Sequence, residues 1–422
     1  GFNTNMSQAS TYTQSIEPRL AAAMPRAGVI YEYVRWALKT THAPPHFHLA
    51  TILSCVSYEL CRRGLGWVAS ADQGRSNKLH LWTGIVGGSS IGKSTVVETA
   101  QDFMRDLYNS VLGEGRYKDP WVQADGSPAG LRQTLIEKYF DFNTEQTLAI
   151  LWHDEVARIL RWEDGATAFC KFYDGRDYSF HLRHLQKEHQ SGVLRNPTLC
   201  ATFSGTPSSI ERLTTAEHIE GGMFPRILWF RGTVPAMKRM LVRHTFNAER
   251  KLLQQYWTGW MQQLNGQLLL ESNRPVRISS EALEVVGVDF FDRHREDFAL
   301  EDRLEGARHR ILSNHVYVVA AVYAASQGRL EANADDMHRA IRLMLWCMAS
   351  VEQITAGLAV IDEVRLRVRL TEIVQAAGSK GVTMRNLFRA LSPKIRDKKA
   401  MTNAIELLVE TDEIVMVQIP GP

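Results

Sequence analysis

The stretch Leu79-His80-Leu81-Trp82-Thr83-Gly84-Ile85-Val86-Gly87-Gly88-Ser89-Ser90-Ile91-Gly92-Lys93-Ser94 decides the fold. Its first half is apolar and strand-like, and its second half is rich in glycine and serine. Lys93 opens a segment with helical spacing that runs to about Leu112. Strand, glycine loop and helix in that order, with G-x-x-x-x-G-K-[ST] matched in full from Gly87 to Ser94, is a phosphate-binding loop. A polyphosphate needs this arrangement because backbone N–H groups at a helix N-terminus wrap it, and glycine permits the close approach. On this reading Gly87, Gly88, Ser89, Ser90, Ile91 and Gly92 cradle ATP, Lys93 contacts the β- and γ-phosphates and Ser94 ligates Mg²⁺. Thr95 lies nearer the α-phosphate. The competing reading, a Gly/Ser loop with an incidental lysine, lacks a reason for the flanking strand and helix.

Hydrolysis also needs an acid for the metal and a base for the attacking water. Asp154-Glu155 follows the apolar run Thr147–Trp152, which has the character of a buried parallel strand, so both carboxylates emerge at a strand's carboxyl tip. Asp154 is the candidate for the Mg²⁺ shell and Glu155 for polarising water. Asp154 could instead simply cap a helix over Glu155–Arg161. A second acid beside the first favours hydrolysis over small-molecule phosphorylation.

Ser204 ends another buried run, Thr198–Phe203, where a hydroxyl can sense the γ-phosphate; Thr202 and Thr206 compete, and ordinary turn chemistry before Pro207 is the plain alternative. Arg226, in Gly221-Gly222-Met223-Phe224-Pro225-Arg226, precedes a third strand-like run ending at Phe230. It is a candidate to reach a neighbouring subunit's nucleotide, with Arg231 as second candidate and a surface arginine as the bland reading. His153 reads as a packing or hydrogen-bonding residue, and Trp152, Trp162 and Trp229 as core.

Strands separated by helical segments indicate an α/β core with a parallel sheet. Residues 1–26 read as a flexible tail, in which Gly1–Asn5 precede a natural start at Met6. Residues 27–78 form an N-terminal helical region with helices either side of His42–His46, and Trp67–Ala69 reads as a strand. The ATPase core spans 79–240, with a loop from Gly113 to Pro128 and a helix over Ala129–Tyr139. A helical region covers 241–360 and a winged helix 361–422. With 45% hydrophobic and 23% charged residues, the chain can build a core. A net charge of +3 is too small to argue nucleic-acid binding globally. Five dispersed cysteines without a C-x-x-C pair point to buried thiols rather than zinc. No apolar run of about 18 residues and no secretory pattern occur, so a cytoplasmic protein without membrane contact is expected.

The local charge is different at the end of the chain. Between Arg365 and Glu410 ten Lys/Arg face four acids. Helices are expected over Arg365–Ala376, from Val382 with Thr383 as N-cap, and over Lys394–Val409, followed by a strand over Glu413–Ile419. That succession is a winged-helix plan whose recognition helix carries Lys394, Arg396, Lys398, Lys399 and Asn403, suited to phosphates and base edges. A winged helix used for protein contacts is the alternative.

Together these segments resemble the domain-of-unknown-function family 3987. The resemblance runs from Leu49 to Ile341. It is carried by Asn77-Lys78-Leu79-His80 leading into the loop, Asp154-Glu155, Phe172-Tyr173-Asp174-Gly175, Asn196-Pro197 with Ser204-Gly205, Gly222–Phe230 and the helix around His315. It implies a RecA-like ATPase of phage, plasmid or other mobile elements, acting like a hexameric replicative helicase on single-stranded DNA, with a primase partner. The family's G-[LF]-x-x-R-[FI]-L pattern places Arg226 at the finger position. Thr95 departs from the proline common there. Two rivals stay open: an ATP-dependent switch or loader that does not unwind, and a nucleotide-gated protein adaptor.

Overall fold

The structure, a computed structural model, describes residues 16–417 except 70–75, 114–117, 125–126, 143, 160–164, 176, 182–190, 214–218, 220–221, 233–245, 271–274, 301, 303, 392–397 and 412–413. It divides into two compact units, Gly1–Val351 and Glu352–Pro422.

In the first unit the strands are β1 Gly66–Val68, β2 Asn77–Lys78, β3 Trp82–Val86, β4 Trp121–Gln123, β5 Phe140–Asp141, β6 Gln146–His153, β7 Tyr178–His181, β8 Ser191–Leu194, β9 Pro197–Gly205, β10 Ile227–Arg231, β11 Val276–Ile278 and β12 Glu331–Ala332. The main sheet has the order β10-β3-β9-β6-β4, all parallel, and β5 adds antiparallel to β6. Every residue of β3 and β9 is buried. Helices therefore cover both faces, and the strand sequences are continuously apolar for that reason. Gly84 sits in mid-strand because a Cβ there would stand 2.5 Å from the Trp229 ring on β10.

The helices that matter to the site are α1 Pro18–Ala23, α2 Val29–Thr40, α3 Pro45–Arg62, α4 Lys93–Leu112, α5 Pro128–Tyr139, α6 Val156–Ile159, α7 Gly165–Asp174 and α8 Pro207–Leu213. Residues 47–61 of α3 are buried on all sides, the mark of a helix in the middle of a domain. Two of its polar side chains tie it to its neighbours. Ser54 donates to the Ala201 carbonyl of β9 at 2.7 Å. Glu59, fully buried, is held by Arg62, Arg63 and the Tyr108 hydroxyl. A buried carboxylate persists only when paired in this way. A second sheet has the order β12-β11-β1-β2, and β7–β8 pair as an antiparallel ribbon.

Four readings of the first unit change. The flexible tail expected over residues 1–26 contains α1, whose Leu20 and Ala23 are buried in the core. The strand expected over Leu79–Val86 begins at Trp82. The loop expected over Gly113–Pro128 contains β4, which pairs with β6 through Trp121–Gln123. The mainly helical region after Phe246 contributes β11 and β12 to the second sheet.

In the second unit the helices Met384–Ala390 and Lys398–Glu410 and the end of the helix Ala334–Ala377 enclose Leu366, Leu370, Leu387, Leu391, Met401, Ala404, Ile405 and Leu408. Thr383 caps its helix by accepting from the Asn386 N–H, as expected. No helix break occurs near residue 360; the helix runs unbroken from Ala334 to Ala377. The strand expected over Glu413–Ile419 is not formed across its described residues 414–417, and Val415, Met416 and Val417 are exposed. Among the described residues no helix is long and apolar enough to cross a membrane.

Candidate nucleotide site

Gly87 leaves β3 and its N–H donates to the Gly205 carbonyl at the end of β9, 3.2 Å away, so the loop starts from a fixed point. Gly88, Ser89 and Ser90 are exposed, and Ser90 adopts a positive φ of 65°. Gly92 is the position that demands glycine. Its φ is 90°, and a Cβ would approach the Ala43 Cβ at 2.9 Å. The first hydrogen bond of α4 runs from Val96 N–H to the Gly92 carbonyl, and no side chain caps the helix. The backbone N–H groups of Lys93, Ser94 and Thr95 therefore stand in the first turn at the positive end of a 20-residue helix, the arrangement that binds anions.

Lys93 folds back on its own loop and donates to the carbonyls of Gly87 (2.8 Å) and Gly88 (2.7 Å). Burial lowers its pKa, and the negative charge of Glu155 acts in the opposite direction. Asp154 and Glu155 follow β6 directly. β9 lies between β3 and β6, and all three are parallel, so the loop and the acid pair share the carboxyl edge of the sheet. Two strand spacings separate them, roughly 10 Å, room for phosphoryl oxygens, a metal ion and water.

The acid turn is braced from three sides. The Glu155 N–H donates to His153 Nδ1 at 2.8 Å, so that nitrogen is the acceptor and the His153 ring reads as a hydrogen-bonding residue. Ser204 donates its hydroxyl to the Asp154 carbonyl at 2.8 Å. Ser209, on α8, donates to the Glu155 carboxylate. The Asp154 side chain itself is 60% exposed. Ser204 thus supports the turn that carries the acid pair. Of its competitors, Thr202 is buried within 3.3 Å of Thr83, and Thr206 meets the start of α8 through Ser209. Ser209 was not foreseen; its only sequence signal is its place three residues after Thr206.

The two arginines are at opposite ends of one strand. β10 pairs with β3 so that Ile227 is level with Trp82 and Arg231 with Val86. Arg231 is therefore beside the loop, where its N–H donates to Ser350 Oγ at 3.2 Å and Gly232 donates to the Val86 carbonyl. Arg226 is at the amino edge, its guanidinium closed on Asp174 at 2.9 and 3.0 Å and on the Gly222 carbonyl at 2.7 Å.

Among the described residues no cluster of three or more His, Cys, Asp or Glu is placed to hold a metal ion. Mg²⁺ bound with a nucleotide needs fewer, one hydroxyl or carboxylate beside phosphates and waters, and Ser94 and Asp154 are donors of that kind, both exposed. Of the basic-helix candidates, Lys394 and Arg396 lie outside the described residues, as do the side chains of Lys398 and Lys399, whose backbone opens the helix Lys398–Glu410. Asn403 is exposed on that helix. No protein-family model and no curated protein matches the chain.

Proposed function

We propose that this chain is an ATP-hydrolysing, nucleic-acid-associated motor with a RecA-like core, working as a homo-oligomer, a hexamer on the family resemblance. One observation carries the reading: Lys93 and Ser94 share a sheet edge with Asp154 and Glu155, across the gap left by the intervening β9. In this reading the α4 N-terminus and loop amides hold the triphosphate, and Lys93 leaves the Gly87 and Gly88 carbonyls for the β- and γ-phosphates. Ser94 and Asp154 hold Mg²⁺ with its waters. Mg²⁺ supplies charge neutralisation between the phosphates. Glu155, fixed by Ser209, orients the attacking water. Arg231, level with Val86, is on the loop's edge of the sheet; Arg226 serves a neighbour only after parting from Asp174.

The test is a Mg²⁺-dependent ATPase assay with and without single-stranded DNA. Hydrolysis abolished by Lys93→Ala and stimulated by DNA supports the motor; a rate insensitive to DNA at low salt sinks it. The adaptor reading has one observation in its favour, the exposed Val415-Met416-Val417 segment beyond the three-helix core. Absence of oligonucleotide binding by the full chain would select it.

A further inference from the structure

The motif segments away from the phosphate loop converge at the opposite edge of the main sheet. Tyr173, at the end of α7, is their hub. Its carbonyl accepts from His80 Nε2 at 2.8 Å, while its hydroxyl lies 3.1 Å from His315 Nε2 and accepts from Asn314 Nδ2 at 3.2 Å. His315 Nδ1 is buried and, among the described residues, has no hydrogen-bond partner.

Two guanidiniums lie against the same aromatic ring, Arg226 at 5.8 Å and Arg310 at 5.4 Å from its centroid. Asp174 balances Arg226. Among the described residues no carboxylate pairs with Arg310, which is half-buried. The cluster therefore carries a surplus positive charge and unspent N–H donors, on a base made rigid by hydrogen bonds from three separate segments. A cation–π contact leaves the guanidinium's in-plane donors free, and their fork matches a tetrahedral oxyanion.

We propose that Arg310, with Arg226 beside it on Tyr173, forms a second phosphate-recognition site, at the sheet edge opposite the loop. The phosphate comes either from a nucleic-acid backbone or from the nucleotide held by a second copy of the chain. The choice of these two sources rests on the function proposed above; the site itself does not.

The test uses the full chain and its Arg310→Gln and Arg310→Lys variants. Binding of a labelled 20-nucleotide oligodeoxythymidine is measured across a salt series, nucleotide binding with a fluorescent ATP analogue, and ATP hydrolysis beside both. If the phosphate is nucleic acid, Arg310→Gln weakens the oligonucleotide at least fivefold and reduces the salt slope by about one, with nucleotide affinity within twofold of wild type. If it belongs to a second copy's nucleotide, oligonucleotide binding is unchanged and hydrolysis falls at least tenfold. Mixing Arg310→Gln with Lys93→Ala chains then restores part of the activity, because a hybrid interface unites an intact loop with an intact Arg310. Wild-type oligonucleotide binding, salt slope and hydrolysis in Arg310→Gln overturn the proposal. Should that variant not fold, Arg310→Lys decides: loss of the bidentate fork weakens the response at least threefold, and wild-type behaviour overturns the site. A failure of the loop reading shows separately, as absence of nucleotide binding by the wild type.

Discussion

Ser204 on β9 donates its hydroxyl to the Asp154 carbonyl just past the neighbouring strand β6, 2.8 Å away, and so braces the turn that carries both carboxylates. One hydrogen bond of this kind contributes about 1 kcal/mol. Ser204→Ala is expected to slow hydrolysis by roughly five- to tenfold while the nucleotide dissociation constant stays near wild type. A γ-phosphate sensor would instead weaken binding of the triphosphate relative to the diphosphate, so comparing the two nucleotides separates the roles.

Glu155→Gln removes the negative charge but keeps the shape and an acceptor for Ser209. Loss of a positioned general base costs on the order of 10²–10⁴ in rate. The variant is expected to bind ATP at least as well as wild type and to hydrolyse it at least 100-fold more slowly in single-turnover assays. Unchanged turnover would remove Glu155 from the chemistry.

Glu59→Ala tests the buried carboxylate of α3. Glu59 is fully buried and the Arg63 side chain only 8% exposed, so the substitution strands a guanidinium in the interior. The expected loss is about 3–5 kcal/mol, read as a fall in the urea midpoint at unchanged slope. Since Tyr108 loses its acceptor too, Tyr108→Phe combined with Glu59→Ala is expected to cost less than the separate changes added together.

Four desolvated imidazoles, His48, His80 and His315 buried and His46 half-buried, set an acid limit on stability. Burial lowers the pKa of His46 and His80 to about 4 and of His48 and His315 to about 3. Above pH 6.5 they are neutral in both folded and unfolded chains and contribute no pH dependence. Below it the unfolded chain takes up protons that the folded chain refuses. Stability therefore falls as pH drops from about 6.5 toward 4, with a slope of up to about 1.4 kcal/mol per pH unit for each imidazole. Urea midpoints measured between pH 8 and 5 check this; a flat profile contradicts the burial of these rings.

The central strands could be read before any coordinates because burial on both faces leaves an uninterrupted apolar record, as in Leu148–Trp152 and Leu199–Phe203. The loop between β3 and α4 was legible through Gly92, whose φ of 90° favours glycine. Short elements left no such record. β4, β11 and β12 have three, three and two residues, too few for a period to register. The surroundings of Arg226 were equally hidden. Its partner Asp174 is 52 residues earlier, and nothing local to either residue announces the pair.

β3 has consequences for the order in which the molecule comes into being. Both strands flanking it, β9 and β10, lie more than a hundred residues downstream. At synthesis rates of roughly 5–20 residues per second, the strand entering the phosphate loop waits on the order of ten seconds for either neighbour. Until Arg231 has been made, β3 lacks its β10 neighbour and the main sheet is incomplete. Pairings this remote in sequence close slowly. The apolar strand β3 meanwhile has both edges unpaired.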